Sequence, residues 1–539
     1  MSTADDLQTQ PGLFVRQSSG LVRELGVRDA FSIGIGALGI AFVAFAFWSA
    51  LLLYPLLDLL PLILISGLLQ VIIIAIYSQL AATLPRSGGD FLYVSRIIHP
   101  LAGTIMLGGV VVVILSGTGF AWLYFTGTQF LPSFIRSLGA FLGIGGLNSL
   151  ADTLSGKNAS YFCGVGIGIL GIGLCCLPTR VVTRIVFWTF IAGFIAIAAA
   201  TIVFFVHSQG SFAESFDRFA GKSNAYQGVI TSARKGGASL GFDWTSVFKS
   251  IAFAYFGFWV GFTWCVYAGG EVRSPKRTVW MASLLALVVG IIVVALCWLG
   301  MKHAMGRDFI QSVAYLSAND PSKLSGAPAF TPFYALLISH SSFVNLIISF
   351  GFFLVAFGSV LAQILVASRL VFAASFDRVL PTALSKVWKR THAPVTSVVI
   401  VGIIAIIFLT TTVYSTTVAS QFRNVVLILV TVYLVASIAV MILPWRRRDL
   451  YEAGPKIIGG TWFGLPPISI VGGVSAVLTA VFLYVAATQT QVNGGYDTTS
   501  VVTLIAVVVI GPIAYGISRI AGSRRGIDLG LAMRELPPE

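Results

Sequence analysis

The chain is predicted to be an all-α polytopic membrane protein of about twelve transmembrane helices, and three observations carry that prediction. Of its 539 residues, 57% are hydrophobic and 10% charged, with a mean hydropathy of +0.91. That is too few charges to coat a soluble globule of this length. The apolar residues also gather into runs near the ~20 residues a helix needs to cross a bilayer. Finally, if alternate loops are assigned to opposite sides, about two-thirds of the 34 Lys and Arg fall on the side that holds both ends of the chain.

Taken in order, residues 1–27 are polar and include Asp5, Asp6, Arg16, Arg23 and Glu24. They read as an N-terminal cytoplasmic segment, not a cleavable signal, so the first span is expected to be retained. Spans follow near 31–53, 57–83, 101–132, 159–178, 184–207, 246–268, 279–302, 333–370, 395–414, 421–443, 467–488 and 500–521. Residues 28–521 form a single transmembrane domain, and 522–539 are a tail. By the positive-inside bias, both termini face the cytoplasm and the protein is a multi-pass component of the cytoplasmic membrane. The longest outer connection, 208–245, carries no motif and reads as a surface excursion.

A net charge of +14 is explained by those loops, so the expected partner is the lipid bilayer and not nucleic acid. Cys163, Cys175, Cys176, Cys265 and Cys297 all lie in apolar runs and read as small buried residues, with no disulfide framework or metal site. Charged groups inside a membrane are expensive and usually functional. Here Asp58, Lys249 and Arg423 sit only near span ends, where interfacial or snorkelling positions suit them. A membrane enzyme with an intramembrane acid–base pair is therefore disfavoured, and no cofactor is expected. A pocket with a dedicated counter-charge is disfavoured as well.

The most informative stretch is 245–277. It is long enough to span, yet Gly257 and Gly261 stand at its middle among Phe253, Tyr255, Phe256, Phe258, Trp259 and Phe262. Glycine inside a helix costs about 1 kcal/mol relative to alanine. Two readings stay open: the glycines allow close helix packing, or the helix breaks there and exposes peptide groups that lipid cannot satisfy and a substrate can.

Three motifs then resemble the amino acid-polyamine-organocation (APC) superfamily of secondary transporters. They are TLPRSGGDFLYVSR (Thr83 to Arg96), GGEVRSPKR (Gly269 to Arg277) and SRLVFAASFDRVLP (Ser368 to Pro381), which stand after the second, sixth and eighth spans. The resemblance covers roughly residues 21–445. It implies a five-plus-five inverted repeat (about 28–207 and 245–445, with two extra spans over 466–521) in which spans 1 and 6 are both interrupted. Span 1 departs from the family's Gly-Ser-Gly or Gly-Thr-Gly triplet. The chain reads Gly39-Ile40-Ala41 in one register and Ile40-Ala41-Phe42 in the other.

The resemblance implies that Ala37, Leu38, Gly39, Ile40 and Ala41 face the carboxylate of a small amino acid or related amine. Phe253, Tyr255, Phe256 and Gly257 face its ammonium group, with Phe256 and Trp259 near its side chain. Where proton-coupled relatives carry a lysine in span 5, this chain has Thr189. Sodium, held by Thr189, Ser359 and carbonyls near Gly34 and Ala37, is then the first reading of the coupling ion, since hard cations prefer oxygen. Uncoupled exchange is the second and proton symport the third, and Thr189 bonding to its own helix is the structural alternative. Asp90, Arg369 and Asp377 are candidate gating residues: Asp90 stands at an inner hinge or gate, or else caps a helix after the Ser-Gly-Gly turn, and Arg369 with Asp377 and Arg378 offers inner-loop ion pairs or a solvated charge cluster. A receptor or channel on the same scaffold is the alternative of another class, and the oligomeric state is left open.

Overall fold

The apolar runs become helices because polar caps and prolines fix where each begins. Asp58 accepts the Leu60 N–H at 3.1 Å at the head of span 2, and Ser341 accepts the Val344 N–H at 3.4 Å at the head of span 8. Asp497 accepts the Ser500 N–H at 2.8 Å to start span 12. These contacts satisfy N–H groups that the helix itself leaves unpaired.

The computed structural model describes residues 20–415, 424–490, 496–524 and 528–533, without the side chains of Ala41, Phe120, Ala121, Phe256, Leu531 and Ala532. Arg423 and most of residues 1–27 lie outside the described residues. Among the described residues ten helices are long and apolar enough to cross a membrane, or eleven with the bent pair Val27–Leu38 and Val43–Leu53 taken as one span. Span 6 is divided into Trp244–Gly257 and a 3-10 segment, Trp264–Glu271. The predicted all-α, roughly twelve-span architecture is therefore present, and no strand forms among the described residues.

Spans 5 (Thr179–Val206) and 8 (Ser342–Phe376) pack closely because small residues line their seam. A Cβ placed on Gly193 would lie 2.3 Å from Val355 Cβ, and one on Gly351 would lie 2.5 Å from the Ala192 carbonyl oxygen. Close backbone approach of this kind is how membrane helices gain contact without a hydrophobic driving force. Gly193→Leu is accordingly expected to overpack the seam and destabilise the protein by about 1–3 kcal/mol, seen as a lower thermal unfolding midpoint in detergent. An unchanged midpoint would contradict the seam.

Three expectations need correction. Span 8 does not start at residue 333: Thr331–Ile338 is a separate helix, and the chain turns extended at Ser339 before Ser341 caps the next helix. The outer connection is not a loose excursion. It holds helices Gln209–Ala220 and Ala225–Lys235, whose Phe212, Phe216 and Tyr226 pack against Phe309. Asp58 does more than sit at an interface, because its carboxylate meets Trp298 Nε1 and Lys302 Nζ, each at 2.9 Å, tying span 2 to span 7 (Pro275–Met305).

Candidate functional site

Both interrupted spans break where glycine permits it. In span 1, Gly39 adopts a left-handed conformation (φ 63°, ψ 64°) that ends the first half-helix, and a short 3-10 turn, Ile40–Phe42, leads into the second at a bend of 44°. The left-handed residue places the break at Gly39. In span 6 the helix ends at Gly257, and residues 258–263 are non-helical around Gly261 at φ 92°.

The two breaks lie back to back. A Cβ on Gly261 would stand 2.6 Å from the Ala37 carbonyl carbon, and one on Gly34 would stand 2.6 Å from the Phe262 carbonyl oxygen. The helical ladder changes at both breaks: the Phe42 N–H donates to the Gly39 carbonyl at 2.6 Å, and the Phe258 and Trp259 N–H groups both donate to the Ala254 carbonyl, at 3.0 and 3.2 Å. The Thr263 hydroxyl is buried without a partner, as are both amide atoms of Gln70 in span 2 (Leu59–Thr83). Unpaired groups of this kind are rare in protein interiors, and they concentrate where a ligand is to be met.

Side chains from other spans wall the breaks. The Trp122 indole covers Gly39, where an added Cβ would lie 2.1 Å from the ring. Gln363 of span 8 holds that indole: with its amide oriented to suit its neighbours, its oxygen accepts Trp122 Nε1 at 2.7 Å and its nitrogen donates to the Ile114 carbonyl at 3.0 Å. Phe253 lies against Gly257, within 2.7 Å of where a Cβ would stand. Trp259 instead packs between spans 2 and 7 and donates to Ser66 Oγ at 2.8 Å. Tyr255 faces Tyr433 and Phe482 of spans 10 (Asn424–Arg446) and 11 (Pro467–Thr488). The structure thus gathers Gly34, Ala37, Leu38, Gly39, Ile40, Phe253 and Gly257 near the breaks, and it turns Trp259 and Tyr255 to other seams. The side chains of Ala41 and Phe256 lie outside the described residues. Trp122, Gln363, Gln70 and Thr263 were not singled out from sequence; uncharged polar residues inside apolar runs were the available signal.

Of the candidate sodium ligands, Thr189 and Ser359 lie toward the seam of spans 5 and 8, whereas the Ala37 carbonyl lies against Gly261 of span 6. Gly36 abuts Val186 of span 5 and Ala362 of span 8, and a Cβ on Gly358 would meet Thr189 Oγ1 at 2.1 Å. Thr189 donates to the Val186 carbonyl at 2.8 Å and Ser359 to the Val355 carbonyl at 3.0 Å. Both hydroxyls therefore bond within their own helices, which leaves their oxygen lone pairs as neutral acceptors of the kind sodium takes. Gly34 faces Phe262 and not this seam.

The gating candidates cluster on the face that carries Leu25, where two buried ion pairs and a carboxylate lock four stretches together. Arg369 Nε donates to Glu271 Oε1 at 2.9 Å, and its terminal nitrogen donates to Thr179 Oγ1 at 2.6 Å. Asp377 pairs with Arg96 of the first inner-loop motif at 2.6 Å. Asp90 is not the helix cap, which falls at Gly88 (φ 120°); its Oδ1 instead accepts the Tyr77 hydroxyl at 2.6 Å, and its Oδ2 accepts the Tyr267 hydroxyl. Backbone bonds complete the closure: Glu24 and Leu25 donate to the Glu271 carbonyl at 3.0 and 2.9 Å, and Arg273 donates to the Leu25 carbonyl at 2.9 Å.

No curated protein matches the chain. The family model described as amino acid permease matches residues 25–511, a stretch that holds both broken spans and all three loop motifs. With that match over most of its length and the helices to cross a bilayer many times, the chain belongs to the amino acid permease family of membrane transporters.

Proposed function

We propose that the protein is a secondary active transporter that carries a small amino acid or related amine through alternating exposure of one midplane site. The observation that supports this best is the pair of breaks set against each other, each interrupting its helix where glycine turns left-handed. The second half of span 1 starts at its break, so its positive dipole end favours a carboxylate. The first half of span 6 ends at its break, so its free carbonyls favour an ammonium group. The two together suit an α-amino acid head group and need no charged side chain. Breaks at the first and sixth of twelve spans also suit two inverted repeats of five, which rock about the site.

The site is covered on both sides. Toward the Leu25 face lie the ion pairs and Asp90. Toward the other, Trp48 donates to Thr331 Oγ1 at 3.1 Å and Phe45 stacks on Phe125 with centroids 3.8 Å apart. The Lys and Arg bias makes the Leu25 face cytoplasmic.

Sodium is proposed as the coupling ion, on the neutral oxygens of Thr189 and Ser359 beside Gly36. Reconstituted protein is expected to concentrate an amino acid in liposomes only with an inward sodium gradient. Thr189→Val, which keeps the shape and removes one oxygen, should raise the sodium concentration for half-maximal uptake roughly tenfold, equivalent to about 1.4 kcal/mol. Uptake that ignores sodium but requires preloaded amino acid would replace symport with exchange, and binding without flux would replace transport with sensing.

A further inference from the structure

Asp90 lies in the short helix Gly89–Ile97, outside the spans, and is 1% exposed. Its carboxylate oxygens are held by two phenols from different spans, Tyr77 of span 2 and Tyr267 of span 6. Tyr93 of its own helix and Tyr433 of span 10 are the other titratable groups that face it. Among the described residues no lysine, arginine or histidine pairs with it: Arg96 is committed to Asp377 and Arg369 to Glu271. A buried carboxylate without a cation is expensive to ionise, and hydrogen bonds from neutral phenols repay only part of that cost.

The contact around it is the closure itself. The Gly88 N–H donates to the Tyr267 carbonyl at 3.2 Å, and the Gly270 N–H donates to Ser87 Oγ at 3.3 Å. A Cβ on Gly89 would run into the Tyr267 ring at 2.4 Å. Separation of this helix from Tyr267 would bring water to Asp90.

We propose that Asp90 is a proton-binding site that holds a proton while the Leu25 face is closed and releases it to water as that face opens. Opening is part of alternating access, so the site rests on that reading; an accessibility measurement made without substrate lets the two fail separately.

The sign follows from linkage. Burial pushes the closed-state pKa of Asp90 up to about 6, with the Tyr267 and Tyr77 hydrogen bonds opposing it in part. In water the carboxyl returns toward its ordinary value of about 4. The closed form binds the proton more tightly, so acid favours closure. The opening equilibrium should grow by about 100-fold in all, most of it between about pH 4 and about pH 6, and level off above.

The test uses the full chain in nanodiscs with Cys265 as its one remaining cysteine, buried at 0% exposure two residues from Tyr267. Its labelling by an impermeant thiol reagent is divided, at each pH, by that of a small free thiol. The corrected rate should rise as pH climbs to about 6 and then flatten. Asp90→Asn, neutral at every pH, should label slowly and without pH dependence. Tyr77→Phe removes a donor to the ionised form, so its plateau should begin at higher pH. A flat wild-type profile, a wild-type pH dependence in Asp90→Asn, or an unmoved midpoint in Tyr77→Phe would each overturn the assignment. If Asp90→Asn does not fold, Tyr77→Phe decides.

Discussion

Gly261→Ala is expected to abolish uptake in a protein that still inserts in the membrane. The position holds φ at 92°, a conformation that costs an L-residue about 1–2 kcal/mol, and the new methyl would stand 2.6 Å from the Ala37 backbone carbon. Backbone cannot swing aside as a side-chain tip can, so the two breaks must separate. An overpacking cost of about 1–3 kcal/mol adds to the conformational one. Displacement of the peptide groups from the head group should then lower apparent affinity by about tenfold or more, about 1.4 kcal/mol for each factor of ten. Gly166 in span 4 (Lys157–Cys175) has nothing within 4 Å of its added Cβ, so Gly166→Ala is the matched control and should transport normally. Equal uptake by both variants would remove the breaks from the mechanism.

The second large effect lies at the Leu25 face. Arg369 and Glu271 are 1% and 3% exposed, so Arg369→Met leaves a buried carboxylate without its cation. Loss of one partner from a buried pair costs about 3–5 kcal/mol. The double variant Arg369→Met with Glu271→Gln removes both charges and should recover most of that stability in thermal unfolding. Recovery of stability should not restore the lock, however, because Arg369 also donates to Thr179 Oγ1, a tie that methionine cannot make, although the backbone bonds of Glu24 and Leu25 to the Glu271 carbonyl persist. The double variant should therefore be stable yet label faster at Cys265 than the native pair. Equal labelling would make the pair structural and not a gate.

Much of the fold was legible because lipid is a demanding solvent: runs of the length to cross it, ended by Asp58, Pro275 or Pro467, leave few alternatives. The span 6 break was also legible, since two glycines among bulky aromatics contradict a continuous helix. Span 1 was harder. Its glycines at 34, 36 and 39 look alike in sequence, yet Gly34 and Gly36 serve close packing on opposite sides and only Gly39 turns left-handed. Helical phase is lost across a break, which is why Trp259, grouped with the site by resemblance, points to another seam; Tyr255 stands two residues from both Phe253 and Gly257 in one helix and so faces away from them. Ion-pair partners were out of reach for another reason. Glu271 and Arg369 are 98 residues apart, and nothing local distinguishes a buried guanidinium from a solvated one. The start of span 8 was misplaced because the hydroxyls of Ser339, Ser341 and Ser342 are tolerated within apolar runs, although here Ser341 caps.

The central claim is that main-chain groups at two facing breaks hold the charged head of an amino acid. Thermal unfolding of the purified protein tests it with three forms of one transported amino acid: the free acid, its N-acetyl derivative and its C-terminal amide. A ligand that binds only the folded state raises the midpoint in proportion to its occupancy. The free form should raise it, and each blocked form should fail although its side chain is unchanged. Equal stabilisation by the blocked forms would mean that the side chain, and not the head group, is what the protein grips.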